Sequence, residues 1–389
     1  MSERPRIPRR LREQVLSFYG AVCIVTGEPS SGNDLHHLDE NNANHRFENL
    51  IPLAATLNNA IERYRSQKNV ADGRLRSEAL DLQARKKYNA GQFQHSYACN
   101  RLASFLCTSW YGQADRAMSH ASRALLALRA IDCVPLADDT LRRTVLSLLD
   151  RDGSKPSDRI NPDSKASLAL EISLYFRDYG LLDEAGKWLD LSQRFLEDSE
   201  ITSNIGLRQE IEFRIFQHRA NLKVARGDRS AELDWTRKAD DKGARYVHEF
   251  GSTNNVLWRG HFLRQDGRLD DALELIKGAE KQYGSIFVES VAGSVGHVPA
   301  KYNHWTYAQL KLLYADICEA KGGNRDREMA SELTRDAMET FLVYRITPTI
   351  TYPSQRLDSK VIRKRTPVQL LEMGHTCREV WDKLRTTCA

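Results

Sequence analysis

One short pattern recurs along this chain and limits what most of it can become. Gly112-Gln-Ala-Asp-Arg-Ala117 leads into Ala121 and Ala124. Gly180-Leu-Leu-Asp-Glu-Ala185 leads into Leu189 and Ser192, and Gly267-Arg-Leu-Asp-Asp-Ala272 into Ile276 and Ala279. Glycine turns the chain at positive φ where one helix ends. A small residue five positions later, with more at helical spacing, lets the next helix approach closely. Weaker copies surround Gly227 (followed by Ala231) and Gly322-Gly323 (followed by Ala330 and Ala337). The pattern predicts paired helices from about residue 97 to residue 342.

These segments resemble the tetratricopeptide repeat family, whose G-x-x-x-x-A core they match at irregular spacing. The resemblance implies antiparallel helix pairs stacked in a superhelix, with a concave surface for a protein or peptide partner. Polar insertions interrupt it at Asp150–Asp158 and at Gly284–Lys301, where His297 and Lys301 sit. The second insertion is either a spacer or a gate. Thr347–Pro353 reads as extended, and a last helix runs from about Pro367 to Leu384.

The first 70 residues read differently. Residues 8–19 form an amphipathic helix closed by Gly20. Ala21–Val25 and Leu35–Leu38 read as strands with turn formers between them. Leu50–Ile61 reads as helical, with Pro52 tolerable in its first turn. Inside this frame stand His36-His37, then Asn49 twelve positions on, then Asn58 nine further. Two imidazoles and amide oxygens can hold a divalent metal on a phosphate and take a proton from water.

The blocks Cys23–Gly27, Leu35-His36-His37, Asn49–Leu53 and Leu57–Ile61 together resemble the HNH endonuclease family and its ββα-metal finger. The resemblance implies His36 as a metal ligand, His37 as general base, Asn49 as the residue that orients the His-bearing loop, and Asn58 as the second ligand. Asn59 takes Asn58's place if the helix starts one residue later. His45 reads as a turn residue. Arg63 either contacts phosphate or is a solvated surface side chain. Many members carry paired cysteines for a structural zinc. Here Thr26, Ala54 and Ala55 occupy the matching positions, so no structural zinc is expected and packing must hold the finger. A His and an Asn favour Mg²⁺ or Mn²⁺.

The expected fold is therefore mainly α: an HNH nuclease domain (1–70), a linker helix (71–96), a repeat domain (97–345) and an extended segment with a final helix (346–389). Seven cysteines without a C-x-x-C pair exclude a disulfide framework and point to a reducing cytoplasm. The leading residues lack the apolar core of a signal peptide, and no apolar run is long enough to span a bilayer. A net charge of +5 permits nucleic-acid binding without requiring it. The expected activity is metal-dependent hydrolysis of phosphodiesters, DNA favoured over RNA, with a dimer favoured if both strands are cut. By analogy of architecture, such a chain suits antiviral defence in bacteria. The alternative is a non-catalytic repeat scaffold or peptide-sensing regulator whose finger only binds nucleic acid.

Overall fold

The computed structural model describes residues 6–29, 35–39, 41, 43–67, 73–153, 155–197, 205–226, 228, 234–235, 237–239, 241, 253–283, 304–343 and 367–386. The fold is mainly α with one two-stranded sheet among these residues. The expectations for Gly284–Lys301, Thr347–Pro353 and Gly227 lie outside the described residues. Packing divides the chain into two units. The first holds residues 1–88, 92–164 and 365–389, and the second holds 89–91 and 165–364. These limits cut across the segments expected from sequence, because helices after residue 92 cluster with the N-terminal segment and the last helix packs on those helices.

In the first unit, α1 (Arg9–Tyr19) buries Val15 and Tyr19 and ends at Gly20, whose φ of 76° lets its N–H reach back to Leu16. The expected strand Ala21–Val25 is instead a turn. Gly27 at φ 76° donates to the Cys23 carbonyl at 2.8 Å, and only Val22 and Pro29 form a β-bridge. β1 (Leu35–His37) pairs antiparallel with β2 (Leu50–Pro52), His36 opposite Ile51. The expected helix over Leu50–Ile61 is thus corrected: Leu50–Pro52 is strand, and α2 spans Ala55–Gln67. Leu50, Ile51 and Leu53 are buried as a continuous apolar run, which suits a short buried strand and has no helical period. Pro52 sits at the strand's end, where its missing N–H removes little.

The N-terminal segment packs against α4 (Phe93–Leu106), one of the helices α3 (Ser77–Asn89), α4, α5 (Ala114–Ala130), α6 (Val134–Thr140) and α7 (Leu146–Leu149) that follow it. Cys23 and Ile24 are fully buried, and the Cys99 thiol on α4 donates to the Ile24 carbonyl at 3.3 Å. The Cys23 sulfur accepts from the Thr26 N–H at 3.5 Å. α4 and α6 each continue into a wide π-helical turn, Cys107–Tyr111 and Leu141–Val145.

The second unit carries α8 (Pro162–Asp178), α9 (Leu182–Glu197), α10 (Ile205–Ala225), α11 (Thr253–Gln265), α12 (Leu269–Tyr283), α13 (His304–Lys321) and α14 (Asn324–Val343). The recurring glycines turn the chain as their pattern predicts, with Gly112 at φ 59°, Gly180 at 74° and Gly267 at 80°. Ala117, Ala185 and Ala272 are fully buried. Two side-chain contacts show that α8 and α9 run antiparallel. Ser173 donates to the Ala185 carbonyl and Ser192 to the Ala166 carbonyl, both at 2.8 Å. In the first unit Ser104 donates likewise to the Ala117 carbonyl. A small residue stands twelve positions before the alanine in two copies, Ser173 and Gly260. In the first copy the step is thirteen, because the π turn at Cys107–Tyr111 adds a residue. The last helix, α15 (Pro367–Thr386), belongs to the first unit and lies on α6, α7 and the π turn between them.

Candidate active site

Adjacent residues on a strand face opposite sides, and β1 uses both. His36 turns toward α2, where its Nδ1 lies 3.0 Å from Asn58 Oδ1. His37 turns toward the loop between the strands, where its Nε2 lies 3.1 Å from His45 Nδ1. Asn59 is exposed on α2, so the helix start selects Asn58 as the partner of His36. Arg63 is also exposed.

Asn49 holds the loop. Its amide donates to Asp39 Oδ1 at 2.7 Å and to the Asn44 carbonyl at 3.0 Å, and its Oδ1 accepts from the Asp39 N–H at 3.0 Å. Asp39 also accepts from the Asn41 N–H and from the Asn44 amide. Burial works against the Asp39 charge. The bonds from Asn44, Asn41 and Asn49, with the positive charge of Arg143, hold its carboxyl below the ordinary value.

His36 is 4% exposed. Burial pushes its pKa down to about 4, against the bond from Asn58, so the ring is neutral at pH 7. His37 is also lowered, first by burial and then by His45. A neutral imidazole is the form that ligates metal or accepts a proton. His36 Nε2 is buried without a hydrogen-bond partner among the described residues, as is His45 Nε2.

The separation of His36 Nδ1 and Asn58 Oδ1 is that of a hydrogen bond and also that of two ligands on one ion. Two cis ligands of an octahedral ion at about 2.1 Å stand about 3.0 Å apart, which is the separation of His36 Nδ1 and Asn58 Oδ1. These atoms can share a proton or a cation. Among the described residues no three His, Cys, Asp or Glu side chains gather as a metal cluster.

Sequence reasoning read His45 as a turn residue, without the contact of its ring with His37. His45 sits in an irregular loop, where no periodicity says which way a ring points. A second polar line is structural. Ser77 Oγ lies 3.0 Å from His120 Nε2, His120 Nδ1 lies 3.3 Å from Asn100 Oδ1, and the Cys107 thiol donates to Ser77 at 3.4 Å. All four residues are at least 95% buried. The order Ser–His–Asn imitates a hydrolase triad, but it is closed within the helix packing and ties α3 to α4 and α5. No helix among the described residues is long and apolar enough to cross a membrane. No protein-family model matches the chain, and no curated protein matches it.

Proposed function

We propose that this chain is a divalent-metal-dependent endonuclease of HNH type, hydrolysing phosphodiesters with DNA favoured as substrate. The observation that carries this reading is the 3.0 Å approach of His36 Nδ1 to Asn58 Oδ1, with His37 on the neighbouring strand position. His36 and Asn58 would hold Mg²⁺ or Mn²⁺, which when bound neutralises charge on the phosphoryl oxygens and the leaving 3′ oxygen. His37, neutral at pH 7, takes the proton from the attacking water. His45 shares a proton with His37 and fixes its ring, and the Asn49 bonds keep the intervening loop closed. The repeat-like helices serve as a tetratricopeptide-like array that binds a protein or peptide. A cytoplasmic role in defence against foreign nucleic acid fits this pairing of parts.

The contact between His37 and His45 also favours a second reading. A base whose Nε2 is already engaged suits a finger that binds nucleic acid without cutting it. Purified chain should be incubated with Mg²⁺ or Mn²⁺ and plasmid, linear duplex, single-stranded DNA or RNA. The nuclease reading expects cleavage that EDTA abolishes and that His37→Ala and His36→Ala each reduce by at least about a hundredfold. Binding without cleavage by the unaltered protein selects the second reading.

A further inference from the structure

Beside the candidate site lies a cluster of arginines that the finger alone does not supply. Asp139 on α6 is 6% exposed. Its Oδ2 accepts from Arg101 Nη2 at 3.2 Å. Its Oδ1 lies 2.8 Å from Arg143 Nε and 3.7 Å from Arg46 Nη2. Glu48 Oε2 stands 3.5 Å from Arg46 Nε. Arg101 is buried and also donates to the Thr144 hydroxyl. One arginine would neutralise Asp139, yet two more converge on the same carboxylate oxygen. Both are half-exposed, Arg46 at 50% and Arg143 at 38%.

The π turn explains how α6 presents these groups. In a π-helix residues five apart share a face, so Asp139 and Thr144 both meet Arg101 while Arg143 reaches back to Asp139. Such turns concentrate at functional sites. On the finger side, Arg46 directly follows His45, whose ring touches His37. Arg143 also contributes to the low pKa of Asp39 in the same loop. The Arg143 guanidinium meets Asp139 through Nε and is 38% exposed. A guanidinium offers a planar fork matched to phosphate oxygens.

We propose that Arg46 and Arg143, positioned by Asp139, clamp a nucleic-acid phosphate flanking the one that His37 faces. This rests on the reading of the finger as a nucleic-acid site. Arg143 would make the helices after the finger part of the substrate surface, and Asp139 is a positioning residue.

The test measures binding of labelled DNA duplex and of RNA by the full chain carrying His37→Ala, across a salt series. Cleavage by the same substitutions is measured in the His37 form. Arg143→Ala and Arg46→Ala are each expected to weaken binding by about tenfold and to lower the salt slope by about one. Arg378→Ala, an exposed arginine on α15, removes the same charge and is expected to leave both unchanged. Asp139→Asn separates a clamp from general attraction. Diffuse electrostatics requires tighter binding when a negative charge is lost, whereas a clamp that loses its anchor binds more weakly. If Asp139→Asn fails to fold, Arg143→Lys keeps the charge and loses the fork, and weaker binding is still expected. Unchanged binding in Arg143→Ala and Arg143→Lys, or tighter binding in folded Asp139→Asn, overturns the clamp even if cleavage is robust. Absence of any nucleic-acid binding also overturns it. Arginine-dependent binding without cleavage supports the clamp and leaves the nuclease reading refuted.

Discussion

Single residues in this chain are held by burial more than by charge. His120 shows the cost. Burial, with Arg123 close by, pushes its pKa down to about 4, while an unfolded histidine titrates near 6.5. The folded state binds fewer protons than the unfolded state between these values. Stability from the neutral ring is therefore complete above about pH 6.5 and is lost as pH falls toward 4. Denaturant titrations are expected to show a drop on the order of 3 kcal/mol from this group between pH 7 and pH 4. His120→Gln should be less stable at pH 7 yet show a flatter profile; an equally steep profile refutes this source. The candidate site was legible in part at this scale. His36, His37, Asn49 and Asn58 are spaced along one hairpin and helix, so sequence order alone suggests them. His45 depends on loop geometry. Asp139 and Arg143 lie far along the chain, where nothing in their neighbours signals contact with the finger.

Elements follow the same division between periodic and irregular signals. The glycine turns and buried alanines of the helix pairs were legible because each copy repeats a local requirement of φ and volume. Leu50–Pro52 was not, since a three-residue apolar strand has no period to distinguish it from a helix start. The π turns were invisible because one extra residue leaves the apolar pattern intact. Packing of the paired helices depends on the small residues where they meet. Ala272 is fully buried, and a Cβ at Gly260 would stand 2.8 Å from Leu313 Cδ2. Ala272→Leu is expected to destabilise the second unit by about 1–3 kcal/mol. Gly260→Ala is expected to destabilise it by a smaller amount, because the end of a leucine side chain can shift. Thermal unfolding followed by circular dichroism checks both, and wild-type midpoints would exclude close helix approach at these positions.

At the scale of the whole molecule, the packing of the N-terminal segment extends past residue 70. Its core continues into α4 through Cys99, and α15 lies on the segment that carries Asp139 and Arg143. Arg142 donates to the Thr376 hydroxyl at 3.1 Å, and Lys383 pairs with Asp150. A fragment of residues 1–88 is expected to unfold without a cooperative transition. Removal of residues 365–389 is expected to speed proteolysis of the first unit while leaving the helix pairs of the second unit protected. Equal protection of both units in the shortened chain would show α15 to be dispensable. The return of α15 to the first unit also sets an order of birth. Residues 165–364 are translated between that unit's two parts, which at about 5–20 residues per second takes roughly 10–40 s. A ribosome that stalls within this interval releases a chain whose Arg143-bearing segment lacks the helix that lies on it. Under the nuclease reading proposed above, synthesis itself delays competence until α15 has emerged, and arrested chains are expected to show no cleavage until α15 is supplied.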